Sequence, residues 1–426
     1  MKGGVRKRGK SWAYYYEAGR TADGKRKRRE KSGFRTKAEA EAALFEAQTL
    51  GDKDPAARRN MEEALHEWTS YLKARIKYNT LMNRIGIINN HLVPQFGDMY
   101  CDELTPKMVQ EYIDSLKVKG LSKSTVKGIF TTLQSFYGWA IDIAEYSKTD
   151  PCRRVRLPKF QETNMSHYYI PPEGMELVID RFRDSPAWLP GLYLGYCCGL
   201  RISECFGLTW DNVTLCDGYG YVNIKSQSLY RRPAGEEPER PGWKGNILYL
   251  QSLKTESSVR RVRFGKTVYD VLMNEKKRQE EIRKRPSCPR FYLVDEKDEK
   301  GDPIQRVVKV QPGLQVSTGL EEVRFVNLKD SGDLLTANSF KYLCRVVQAE
   351  LCPRYPDLLP GFNYHSLRKS CSTILIESGV DPKTVSRILG HSSVNMTLDK
   401  YMALTEKLEK EAADIMGSRL SGADMP

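Results

Sequence analysis

Four short segments beyond residue 195 set ionisable or nucleophilic side chains among apolar neighbours. In Tyr196-Cys197-Cys198-Gly199-Leu200-Arg201-Ile202-Ser203-Glu204, an apolar helix ends at Gly199 and Arg201 emerges directly after it. Glu204 lies one turn further on, close enough to orient Arg201, although such a pair is more often a structural ion pair. In 247–264 an apolar run, a polar turn and an alternating run predict a β-hairpin with Lys254 near its tip, where a lone lysine is usually only solvent-facing charge. His365-Ser366-Leu367-Arg368 opens an apolar helix that Gly379 stops, at a helix start whose free amides favour an anion. Leu389-Gly390-His391 follows a helix opened by Asp381-Pro382, and Tyr401 comes ten residues later, where a core aromatic is the plainer role. The set suits chemistry at a phosphodiester. Two guanidiniums stay charged and offer forked donors to phosphate oxygens, and imidazoles add donors or move protons near neutrality. A phenol, with a pKa of ~10, needs such a positive field before it attacks.

The elements that must position these groups are mostly helical. From Met61 to about Ala144, Leu65, Trp68, Tyr71 and Leu72, then Ile85, Ile88, Leu92 and Val93, recur at helical spacing. Thr105-Pro106 opens a helix to Lys119, and Ser122 caps another from Lys123 to Ile143, giving a bundle of about four helices. Lys123, Ser124 and Lys127 lie in the first turns of the last one, either as phosphate contacts or as an ordinary basic helix end. Residues 147–172 hold four prolines with Arg153, Arg154, Arg156 and Lys159, a connector whose arginines favour a DNA backbone. The remainder is one large, mainly helical domain with a strand-rich interruption between about Gly220 and Phe264. A charged stretch from Arg278 to Asp302 is expected as an insertion or extended loop.

The N-terminus reads differently. Residues 1–31 hold twelve Lys/Arg against three acids, a net of +9 out of +14 for the whole chain. A solvated basic tail is one reading; Trp12, Tyr14, Tyr15 and Tyr16 favour a folded module that addresses a polyanion. Ser11 to Ala18 and Lys25 to Lys31 predict strands about an Asp23-Gly24 turn, and Thr36 caps a helix from Lys37 to about Thr49. Tyr14, Tyr16, Lys25, Arg26, Lys27 and Arg28 are the DNA-contact candidates of this module.

The length of 426 residues implies two or three domains, and 40% hydrophobic content is enough for their cores. Ten cysteines without a Cys-x-x-Cys pair, and only five histidines, point to reduced thiols and no metal site. No apolar run spans a membrane and none follows Met1 as a secretory signal, so the cytosol is expected. Nucleotide-binding loops and a Gly-x-Ser-x-Gly elbow are absent.

In order and spacing, Gly199-Leu200-Arg201 with Glu204, Lys254, His365-Ser366-Leu367-Arg368, Leu389-Gly390-His391 and Tyr401 resemble the tyrosine recombinase, or phage integrase, family, over roughly residues 170–415. The chain looks most like integrases of temperate phages and integrative conjugative elements. The resemblance implies an α+β protein, mainly α with small β elements, in three domains. These are an arm-type DNA-binding domain at 1–52, a helical core-site-binding domain at 59–150 and, after a linker at 151–172, a catalytic domain at 173–420 bearing a β-hairpin sheet. It further implies Tyr401 as nucleophile, Arg201, Arg368, His365 and His391 about the phosphate, and Lys254 as general acid to the leaving 5′-hydroxyl. Arg260 and Arg261 compete for that last role on charge alone. A covalent 3′-phosphotyrosine conserves the energy of the broken bond, so neither ATP, metal nor other cofactor is expected. Partners implied are double-stranded DNA core and arm sites, three further copies of the chain in a tetramer on DNA, a DNA-bending protein and an excision factor, all in the bacterial cytoplasm at the nucleoid. Lys369 stands where many relatives have histidine. Residues from about Thr405 to Met416 form an amphipathic helix that packs either on a neighbour or on its own domain. A type IB topoisomerase-like enzyme and a regulator without catalytic activity are the competing readings. Strand exchange at defined sequences and a covalent adduct separate the three.

Overall fold

A computed structural model describes residues 3–9, 11–20, 26–50, 58–160, 169–231, 246–253, 256–314, 319–391 and 393. Lys25, Lys254, Tyr401 and the segment after it therefore lie outside the described residues. The chain divides into two compact units, Met1–Gln161 and Glu162–Pro426.

The first unit opens with β1 (Gly3–Arg8), β2 (Ser11–Arg20) and β3 (Arg26–Phe34), an antiparallel sheet in that order. Val5 faces Tyr14, and Tyr15 faces Glu30. Helix α1 (Lys37–Leu50) follows, its start fixed by Thr36 and Glu39. Thr36 Oγ1 accepts from the Glu39 amide, and the Glu39 carboxylate accepts from the Thr36 and Arg35 amides. Two donors left orphan by the first turn are satisfied in this way.

The helical bundle comprises α2 (Met61–Lys73), α3 (Tyr78–Ile87), α4 (Val93–Phe96), α5 (Pro106–Val118) and α6 (Lys123–Asp142). A π turn, Ile88–Leu92, joins α3 to α4 just ahead of Pro94, which has no N–H for the regular ladder. Asn60, Thr105 and Ser122 each cap the following helix through a side-chain oxygen. Leu65, Trp68 and Leu72 of α2 meet Val126, Ile129, Leu133 and Phe136 of α6 in one core. Each such buried side chain contributes roughly 1.5–3 kcal/mol. Tyr137 Oη donates to the Cys101 carbonyl at 2.9 Å inside it. Residues after Pro151 are irregular, yet Gln110 on α5 holds the Arg156 backbone in both directions at 2.9 Å.

The second unit contains α7 (Pro172–Arg181), α8 (Leu189–Tyr196), α9 (Ile202–Cys205), α10 (Lys266–Arg283), α11 (Ala337–Glu350), α12 (Tyr364–Glu377) and α13 (Pro382–Leu389). Its strands are β4 (Val213–Leu215), β5 (Gly220–Ile224), β6 (Ser226–Arg231), β7 (Ile247–Ser252), β8 (Arg260–Phe264), β9 (Arg290–Lys297), β10 (Pro303–Val310) and β11 (Glu322–Val323). They form a three-stranded sheet, β4-β5-β8, and a five-stranded sheet, β11-β9-β10-β7-β6. Tyr364 meets Phe206 and Phe340 edge to face in the helical core, with Leu192, Phe362 and Leu367 around them.

Three expectations need correction here. The stretch 247–264 is not a hairpin: β7 pairs with β6 and β10, while β8 pairs with β5 in the other sheet. Alternation marks a strand but not its partner, and β10 offers β7 an apolar edge from fifty residues downstream. The stretch 278–302 is not an extended loop but the end of α10, all of β9 and the turn into β10. The strand-rich region accordingly runs from Val213 to Val323, with Leu248, Leu250, Phe291, Val307 and Phe325 forming a second core. Among the described residues, no helix is long and apolar enough to cross a membrane.

Candidate active site

The site begins at Gly199, whose φ of +63° turns the chain sharply after α8. A Cβ there would stand 2.3 Å from Leu389 Cδ2, so glycine alone lets the end of α13 come this close. Arg201 then caps α9, and the Glu204 carboxylate reaches back to its amide at 2.8 Å and to its Nη1 at 2.7 Å. The orientation of Arg201 by Glu204 expected from the three-residue spacing is thus present. Glu204 is 1% exposed, and it also accepts two hydrogen bonds from Arg260, at 3.0 and 2.9 Å. Burial pushes its carboxyl up, but the hydrogen bonds and charges of Arg260 and Arg201 outweigh that and bring it down to about 2.

Arg368 arrives from α12, where Asn363 caps the helix and fixes its first turn. Its Nη1 donates to the Gly199 carbonyl at 2.5 Å and its Nη2 to the Leu389 carbonyl at 2.6 Å. Burial, with Arg201 and Arg260 nearby, lowers its pKa to about 9, and it remains cationic at neutral pH. His365 lies one turn earlier on α12 and is exposed; His391 is buried, 8% exposed, and its amide donates to Ser386 at 3.0 Å.

The end of α13 gathers these elements. Its last carbonyls have no helical donors, and the helix dipole makes them negative. Three successive ones are each met by a different arginine: Ile388 by Arg260 Nε at 2.7 Å, Leu389 by Arg368, and Gly390 by Arg201 Nη2 at 2.7 Å. Gly390, at φ +64°, closes the helix and leads into His391. Among the described residues, three guanidiniums meet one carboxylate at this turn, an excess of two positive charges. The Arg201 side chain is 35% exposed and so gives that charge an outlet to an anion in solvent. A phosphodiester carries the complementary charge and oxygen geometry.

Comparison with known proteins gives three matches in chain order. Residues 5–49 match an arm DNA-binding domain, 60–117 the N-terminal SAM-like domain of phage integrases, and 331–407 the phage integrase family. The chain is 25% identical to a XerC-like tyrosine recombinase of Caldanaerobacter subterraneus subsp. tengcongensis, over 93% of each protein. These matches support a tyrosine recombinase of the phage integrase type. It is also 24% identical to the ICEBs1 integrase of Bacillus subtilis, over 79% of this chain and 77% of that one. Its fold is shared with the Tn1549 transposon integrase solved with circular intermediate DNA, at TM-score 0.60 and 19% identity, over 82% and 98% of the two chains.

Within this recombinase, the structure brings Arg201, Glu204 and Arg368 together at the turn that carries His391, with His365 at the start of the same helix as Arg368. Lys254 and Tyr401 fall outside the described residues. Lys123, Ser124 and Lys127 are exposed at the start of α6, and Arg153 and Arg154 are exposed after it. Arg26, Lys27 and Arg28 lie on β3. Tyr14 is half-buried and stacks on Tyr16 at 6.2 Å. Tyr16 corrects an expectation: at 4% exposure it is a core ring of the small module and has no face to offer DNA. Arg260 was weighed in the sequence only as an alternative to Lys254, and its place at the centre of the cluster was missed. The signal was available, because strict alternation along β8 puts Arg260 on the inward row with Val262 and Phe264.

Proposed function

We propose that this recombinase integrates and excises a mobile element, such as a prophage or conjugative element, by cutting and rejoining DNA at attachment sites. The observation that carries the reading is the convergence of Arg201 and Arg368, from distant parts of the sequence, on adjacent carbonyls of one turn beside His391. In the reaction, the Tyr401 oxygen attacks the scissile phosphorus and the bond to the 5′ oxygen breaks. A 3′-phosphotyrosyl ester forms, and the leaving 5′ oxygen takes a proton from Lys254. Negative charge on the nonbridging oxygens is met by the Arg201 and Arg368 guanidiniums, while His365 and His391 donate hydrogen bonds and handle the phenolic proton. Attack by the 5′-hydroxyl of another strand reverses the step and frees Tyr401, with no ATP consumed.

Residues 1–52 address arm-type sites, 59–150 and the 151–172 linker the core site, and 173–420 the phosphate. The family resemblance supports a homo-tetramer that exchanges one strand pair at a time through a Holliday junction. It also supports help from a DNA-bending protein and an excision factor, and work on nucleoid DNA in the bacterial cytoplasm. The decisive experiment uses a nicked suicide duplex that carries the element's attachment site. Wild type should accumulate a covalent protein–DNA adduct, and Tyr401→Phe should form none. An adduct that persists in Tyr401→Phe moves the nucleophile to another residue.

A further inference from the structure

Arg260 is buried without being beside any candidate phosphate ligand by sequence, and its hydrogen bonds show what it holds. Its side chain is 4% exposed. Nη1 and Nη2 grip the two oxygens of Glu204, Nη1 also donates to the Ser258 carbonyl at 3.0 Å, and Nε donates to Ile388 at 2.7 Å. Four of its five N–H groups are therefore directed at protein acceptors, in contrast to the partly exposed Arg201. Gly390 is packed against the same side chain, since a Cβ there would lie 3.0 Å from Arg260 Cδ. A carboxylate held by one arginine can pivot about that contact. Held by two, from α9 and β8, it is fixed in plane and in turn fixes Arg201.

We propose that Arg260 is a positioning residue for strand cleavage: it locks the Glu204 carboxylate that aims Arg201 and, through Ile388 and Gly390, seats the turn that carries His391. It does not touch DNA. The proposal rests on the reading that Arg201 acts at the scissile phosphate. If so, removing Arg260 weakens charge stabilisation on the nonbridging oxygens and leaves DNA affinity and leaving-group protonation intact.

The test uses full-length wild type, Arg260→Met and Arg260→Lys, with suicide duplexes whose scissile group is varied. One carries the natural phosphodiester. A second carries a methylphosphonate, in which a neutral methyl replaces a charged nonbridging oxygen. The third carries a 5′-bridging sulfur, which leaves without a proton. Single-turnover adduct formation is measured at saturating DNA, and DNA affinity separately. Arg260→Met should slow phosphodiester cleavage roughly tenfold to hundredfold at unchanged affinity, the scale of a misaimed group. On methylphosphonate its deficit should shrink to within about threefold of wild type, because little charge then needs Arg201. The bridging sulfur should leave the deficit in place, and Arg260→Lys should recover part of the rate. Each comparison between substrates is made on one preparation, so a partly unfolded fraction cancels. A deficit of equal size on phosphodiester and methylphosphonate overturns the proposal, as does rescue by the bridging sulfur, or full activity in Arg260→Met. Lack of an adduct from wild type refutes the functional reading itself, and the proposal with it.

Discussion

Replacing Glu204 by glutamine removes the only carboxylate among the three arginines described here while keeping its shape. The carboxyl sits at about 2 rather than its ordinary 4.5, and it is 1% exposed. That difference corresponds to roughly 3 kcal/mol of stability at neutral pH. Because the folded carboxyl is the stronger acid, this stabilisation is complete above pH ~4.5 and disappears as pH falls towards 2. Breaking a buried charge pair from one side costs about 3–5 kcal/mol, in the same range. Hydrogen exchange read peptide by peptide is the suitable assay, since it isolates the amides of α9 and α13 from the rest of a two-unit chain. At pH 7, protection in those helices should fall roughly a hundredfold in Glu204→Gln. Wild type should converge on the variant as pH drops from 4.5 to 2. Equal protection at pH 7, or parallel loss in both proteins across that interval, would refute the assignment of Glu204 as the clamp's counter-charge.

Gly199→Ala should destabilise the second unit by about 1–3 kcal/mol, from the φ of +63° and the 2.3 Å approach to Leu389 Cδ2. Thermal unfolding checks this, and an unchanged midpoint would mean that the turn relaxes freely. Lys127→Ala, exposed near the start of α6, should weaken DNA binding about equally for all sequences. It should also reduce the slope of log affinity against log salt by ~0.9, the mark of one lost phosphate contact. An unchanged slope in a salt titration would remove Lys127 from the interface.

Local signals along the chain were easy to read. Thr36, Thr105, Ser122 and Asp381 cap helices where hydroxyl or carboxylate precedes an apolar-periodic run. The catalytic candidates were legible because glycine turns and helix starts bracket them, as at Gly199-Leu200-Arg201 and Asn363 to Arg368. Pairing between strands was not, since the apolar run of β7 and the alternation of β8 fit either sheet and only tertiary packing chooses. Burial within a short aromatic strand was equally hidden: Tyr14 and Tyr16 share a face of β2, and neighbours decide which ring the core covers. Arg260 failed for another reason, because a charged residue in an alternating strand was judged by its charge and not by its row.

The three carbonyls gripped at the end of α13 have a consequence for how DNA binding and folding are linked. Arginines tethered to main-chain oxygens are preorganised, so little conformational freedom is left to lose when a phosphate arrives. Until then, among the described residues, the free protein confines three guanidiniums against one carboxylate, and the pKa of Arg368 is lowered first by burial and then by the charges of Arg201 and Arg260. On the proposed function a bound phosphodiester offsets that charge, which makes the ligand part of the unit's own thermodynamic balance: its binding should raise the melting temperature of the helices that meet at this turn.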